Sequence, residues 1–348
     1  MGMLIYWRSA LVTRSRTIVS VLTAMALVAL ATLTPLTARA AQTWDIQAGL
    51  DRVGPTDAAV ANQFGPRTLA INVGDTVTWT IAGFHTVTLP SGPPPQPPRA
   101  TLAPGDVDFT FVALPAGGSS FDGTQWLSSG LPQDPSQATY RVTFTKAGVF
   151  DYVCLVHPGM HASLVVLPEG AGLPETPAAA KARGQAELGR TADSAAALGM
   201  NAVSGRVGPV HLETLGLNDG DGASYEGFAY KDITVARGDW IAWTMADPQE
   251  AHTVTFLSGA APPEVIQPRP NAAGPPNLVI PAAVNLPQGG STYTGTGIVS
   301  SGILTEGGLG PGSKGRTSWG VKIDAAPGKY TYICLIHPFM VGTVTVSP

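Results

Sequence analysis

The nine residues YVCLVHPGM, Tyr152 to Met160, return almost unchanged as YICLIHPFM, Tyr332 to Met340, and these segments hold the only two cysteines of the 348-residue chain. A chain that writes Cys-Leu-aliphatic-His-Pro-x-Met twice has to build one local structure twice. The copies are not isolated. FGPRTLAINVGDTVTW, Phe64 to Trp79, aligns without a gap on FAYKDITVARGDWIAW, Phe228 to Trp243, and each is followed by His-Thr-Val, at His85 and at His252. Further on, FDGTQWLSSG from Phe121 matches YTGTGIVSSG from Tyr293, and YRVTFTKAGVFDYVC matches WGVKIDAAPGKYTYIC. Four blocks in the same order predict two copies of one structural unit.

Within each copy the pattern is that of strands. LAINVGDTVTW and DITVARGDWIAW alternate apolar and polar residues around a Gly-Asp turn. The segments that end on Cys154 and Cys334 each read as two alternating strands around a Gly-containing turn. With 13% charged residues, 41 Gly and 31 Pro, the composition is that of a loop-rich all-β protein. Seven or so strands per copy predict two tandem antiparallel Greek-key β-sandwiches. Between them, the Ala-rich segment from Thr176 has a capping residue followed by Pro177 at the first helical position, which predicts a linker helix packed on the two copies or bridging them. Gly184 and Gly189 weaken that helix. The expected division is residues 41–168, a linker over 169–200, and residues 201–348. Ser91 to Arg99 and Ala260 to Pro287 read as stiff Pro-rich surface loops.

Residues 1–40 read as a signal peptide. Arg8, Arg14 and Arg16 precede the apolar run Thr17 to Leu33 and the small-residue site Ala38-Arg39-Ala40. This predicts export to a periplasmic or extracellular location; an uncleaved membrane anchor is the alternative, since 17 apolar residues nearly span a bilayer. The remaining chain carries 16 Lys and Arg against 24 Asp and Glu, so nucleic acid and acidic membranes are excluded as partners, and no transmembrane segment is expected in it. Two cysteines in an exported chain would by default form a disulfide. Here each sits in the same ligand-rich context instead.

One thiolate, two imidazoles and one thioether make a soft donor set. Sulfur and imidazole suit copper or zinc, and a Met as fourth ligand points to copper. The first candidate set is His85, Cys154, His157 and Met160; the second is His252, Cys334, His337 and Met340. A strand would deliver each cysteine, and a tight loop containing Pro158 or Pro338 would turn His and Met back to the same metal. His161 has no counterpart in the second copy and reads as an exposed loop residue; His211 reads as structural.

On these motifs each copy resembles a cupredoxin of the plastocyanin and amicyanin type, and the short HPGM and HPFM loops are closer to amicyanin. The resemblance implies two type 1 copper centres per chain, single-electron transfer, and a transient redox partner protein. It also implies that His157 and His337 are the exposed ligands, with Phe339 adding apolar surface beside one of them. Storage or delivery of copper is the rival function, and a copper reductase or oxidase a third. That third class needs a second metal site built from His-x-His pairs and a His next to the cysteine; Val153, Leu155, Ile333 and Leu335 occupy the flanking positions, and no His-x-His occurs. The 68 and 81 residues between the first His and the Cys of each copy exceed those of simple carriers.

Overall fold

A computed structural model describes residues 40–53, 58–96, 101–307 and 315–348. The expected signal peptide lies outside the described residues. Described strands dominate, and the two halves follow the same plan. In the first half, strands Thr68–Asn72, His161–Leu167, Gly148–Val153, Thr88–Pro90 and Trp126–Ser128 form one five-stranded sheet in that order. In the second, Asp232–Val235, Val341–Val346, Gly328–Ile333, Thr255–Phe256 and Val299–Ser300 form its equivalent. The pairing is mixed, not purely antiparallel. Thr43–Val53 runs parallel to Thr76–Ile81, and Val210–Asn218 parallel to Trp240–Ala246. In each half the chain crosses to the opposite sheet between those two strands, through Thr68–Asn72 or Asp232–Val235, and so returns in the same direction.

Facing these two sheets is a single 11-stranded sheet shared by both halves. Its seam is the antiparallel pairing of Ala58–Gly65 with Ala223–Phe228, in the register Ala59↔Tyr225, Val60↔Ser224 and Ala61↔Ala223. In the gapless sequence alignment Val60 falls on Ser224, the very residue it pairs with. The seam is therefore self-complementary, as in an interface built around a two-fold axis. Each half packs an equivalent aromatic core against this sheet. Phe64 and Trp79 lie 4.6 and 5.4 Å from the Tyr152 ring, and Phe228 and Trp243 lie at the same distances from Tyr332.

The helix Pro177–Met200 is capped by Thr176, whose hydroxyl accepts from the Ala179 amide. It does not hold two sandwiches apart. Its face Ala180, Gly184, Leu188, Ala192 and Ala195 is buried, and the last three pack on Ala59, Ala61 and Ala223 at the seam. The wholly buried pattern of Ala58–Gly65 follows, with the facing sheet on one side and the helix on the other. Small side chains there let the helix approach closely. The Pro-rich stretch of the second half is also more than a surface loop. Gln267–Arg269 pairs with Asn277–Ile280, which in turn pairs with Val107–Asp108 of the first half, and Arg269 meets Asp106 at 3.2 Å. This small sheet uses the long middle loops to clasp the halves together. Among the described residues no helix is long and apolar enough to cross a membrane.

Candidate metal centres

Strand Gly148–Val153 ends one residue before Cys154, and a tight loop follows. The Cys154 amide donates to the Met160 carbonyl, and the Met160 amide donates to the His157 carbonyl. Gly159 takes a φ of +96° in this turn, a conformation its counterpart Phe339 does not share. Cys334, His337 and Met340 form the same loop with the same two bonds. His85 and His252 arrive on connections between strands, not within a regular strand. Both cysteines are free and buried, so no disulfide forms.

The structure brings His85, Cys154 and His157 together, and His252, Cys334 and His337 together. In the first cluster the Cys154 sulfur lies 3.7 Å from His157 Nδ1, and that nitrogen lies 2.8 Å from His85 Nδ1. In the second the corresponding distances are 3.7 and 3.2 Å. Met160 and Met340 are buried in the same loops. Two ring nitrogens and a sulfur thus converge on one point in each cluster. A soft cation between them would serve all three, so the donor set fits copper. Burial would raise the Cys154 thiol, but the charge of His157 and the hydrogen bonds from both imidazoles hold it well below the ordinary thiol range. Cys334 is lowered in the same way by His252 and His337. Each sulfur is thus prepared as a thiolate, the form that binds metal.

Two further residues support each cluster, and motif reading alone did not single them out. The Thr86 amide donates to the Cys154 sulfur at 3.3 Å, while its hydroxyl accepts from the Leu155 amide at 2.8 Å. Thr253 does the same for Cys334 and Leu335, at 3.3 and 2.7 Å. Gly49 and Gly216 sit at matched bulges, with φ of +81° and +62°. A Cβ at Gly49 would overlap the His85 ring, and one at Gly216 would lie 2.5 Å from His252 Nε2. The bulge in each half makes room for its first histidine. The signal in sequence is their common spacing of 36 residues before His85 and His252.

The expectation that His157 and His337 are exposed is corrected here. His157 is only 4% accessible. Its Nε2 meets Glu250 Oε1 of the other half at 3.0 Å, and Gln249 packs against Gly159. Of the four histidines in the two clusters, only His337 keeps an opening, with 12% of its side chain accessible. Phe339 is half-buried against its ring, with centroids 5.8 Å apart. His337 lies at the wall of an apolar cleft of about 940 Å³, which Leu155, Val156, Pro158 and Ile336 also line. The reason is the seam: it turns the loop ends of the two halves toward each other, so each covers what would be exposed in a single sandwich. His161 is exposed and pairs with the Gly159 carbonyl, and His211 is buried against Asp239 at 3.2 Å.

No family model matches the chain. No curated protein matches it either. Among solved structures, it is similar to the Cu(I) form of an amicyanin variant, with 15% identity over 41% of this chain and 86% of that one, at a TM-score of 0.22. An oxidised amicyanin variant is 23% identical over 36% of this chain and 82% of that one, at a TM-score of 0.21.

Proposed function

We propose that the chain is a single-electron carrier with two type 1 copper centres. One is held by His85, Cys154, His157 and Met160, the other by His252, Cys334, His337 and Met340. The observation that carries this reading is the pair of matched, buried Cys-His-His clusters, each with a backbone amide aimed at its sulfur. Copper bound there would supply reversible exchange of one electron. The chain's part is to hold the thiolate deprotonated, to fix both imidazoles through packed loops, and to exclude water. Such a centre needs little rearrangement as its charge changes. Exchange with a transient redox protein would run through the accessible edge of His337 and the apolar cleft beside it. The reading takes residues 41–168 and 201–348 as cupredoxin-like units, residues 169–200 as their link, and residues 1–40 as an export signal.

Copper counting with electron paramagnetic resonance tests it. Two coppers per chain and type 1 signals alone are expected, with an intense visible thiolate band. Cys154→Ser and Cys334→Ser should each remove about half of that band, and the double variant all of it. Release of copper on reduction would favour storage. A type 2 signal that scales with oxygen or nitrite consumption would overturn the carrier in favour of an enzyme.

A further inference from the structure

Glu250 is buried between the two centres. It belongs to the second half, two residues before His252, yet its Oε1 lies 3.0 Å from Nε2 of His157 in the first half. Its other oxygen lies 3.9 Å from His337 Nε2. Both residues of this carboxylate's main contact are nearly sealed, with 5% of each side chain accessible. Two features hold it in place, and a second carboxylate lies beside it. Asn62 of the first half donates to Oε1 at 2.6 Å. Asp247, which starts the loop, accepts from the Gln249 amide and from Ser224 on the seam strand. Glu226, the residue that aligns with Asn62 across the repeat, lies 3.6 Å from His337 Nε2.

In each cluster Nδ1 faces the sulfur, so Nε2 is the nitrogen left to point outward. The His157 nitrogen meets Glu250 directly, while the His337 nitrogen has Glu226 at 3.6 Å and Glu250 at 3.9 Å, so Glu250 is the carboxylate that reaches both. We infer that Glu250 joins the two centres into one redox unit, in which an electron admitted at His337 crosses through the Glu250 carboxylate to His157 and the sealed first centre. With copper held by both donor sets the step would balance by itself: the electron given up at one centre would be taken up at the other, with no proton or third reactant consumed. The inference rests on the two-centre reading above. It explains why a centre with no exposed ligand can still be a working one. Outer partners of metal-bound imidazoles fix ring orientation and basicity. Here Glu250 would do so for His157 by direct contact, and for His337 together with Glu226.

The full chain loaded with two coppers, and Glu250→Ala and Glu250→Gln variants, provide the test. Gln keeps the size of the side chain but offers one acceptor oxygen instead of two. Pulse reduction with a single electron per chain should give a re-equilibration phase whose rate is independent of protein concentration. Both variants should slow that phase by about 10- to 100-fold, the usual effect of removing such a partner. A second readout avoids turnover altogether. In zinc-loaded protein the Nε2–H resonances of both His157 and His337 should shift in Glu250→Gln, although the substitution is a single residue. An unchanged rate in the variants, or equilibration that depends on concentration in the wild type, overturns the link while leaving two copper centres standing. A third equivalent of metal, bound by the wild type and lost in both variants, would also overturn it and make the carboxylates a metal site. A chain without two thiolate bands fails the earlier reading instead.

Discussion

Replacing Gly49 by Ala should disable one centre and leave the other. Gly49 has a φ of +81°, where a residue with a Cβ is strained by about 1–2 kcal/mol. The new methyl would also overlap the His85 ring and lie 2.7 Å from the Ala82 carbonyl. Overpacking of that kind costs about 1–3 kcal/mol more. Gly74 separates the two contributions, because its φ is +90° but nothing lies within 4 Å of where its Cβ would stand. Gly74→Ala therefore reports strain alone. Urea unfolding of the metal-free chains should place Gly49→Ala below Gly74→Ala by about 1–3 kcal/mol, the overpacking share. The copper-loaded protein should keep both visible bands in Gly74→Ala and lose the first in Gly49→Ala, because His85 can no longer reach the sulfur. Equal stabilities together with an intact pair of bands would refute the claim that the bulge positions the histidine.

Two helix glycines should respond in opposite directions. Gly189 meets only an Arg52 nitrogen at 3.8 Å, so Gly189→Ala should stabilise the chain by up to about 1 kcal/mol, as the helix propensity difference allows. A Cβ at Gly184 would lie 2.5 Å from the Gly65 carbonyl, so Gly184→Ala should lower the unfolding midpoint despite the better propensity of Ala. Glu213 should make stability depend on pH. Burial pushes its carboxyl up to about 7, and one of its oxygens lacks a hydrogen-bond partner. The folded chain then holds a proton that the unfolded chain has released, so stability should fall as pH rises from about 4.5 to about 7, by up to about 2 kcal/mol. Glu213→Gln should flatten that slope in urea melts at pH 5 and pH 7, and a slope that persists would assign it to another group.

The repetition determined more than the composition did. Because His85, Cys154, His157 and their copies recur in matching order, the two clusters could be named from the sequence, and both form. The helix after Thr176 was legible from its cap and from Pro177. Its role was not. Gly184 reads as a helix weakness along the chain, but in the fold it is where the helix backbone meets Gly65. Strand direction was likewise beyond the alternating pattern, since a period of two marks which face is buried and carries no information on which neighbour is parallel.

What only the tertiary structure decided is how the two halves meet. Self-pairing of Ala58–Gly65 with Ala223–Phe228 depends on backbone hydrogen bonds, which any sequence with small side chains can make, so no motif announces it. That seam turns His157 from an expected exposed ligand into a buried one and sets it against Glu250, 93 residues away in sequence. Local pattern marks the candidate donors of each cluster because they lie on short loops or recur at matched positions. Which side chain touches a donor's far side depends on a contact between the halves, and that is settled by packing alone.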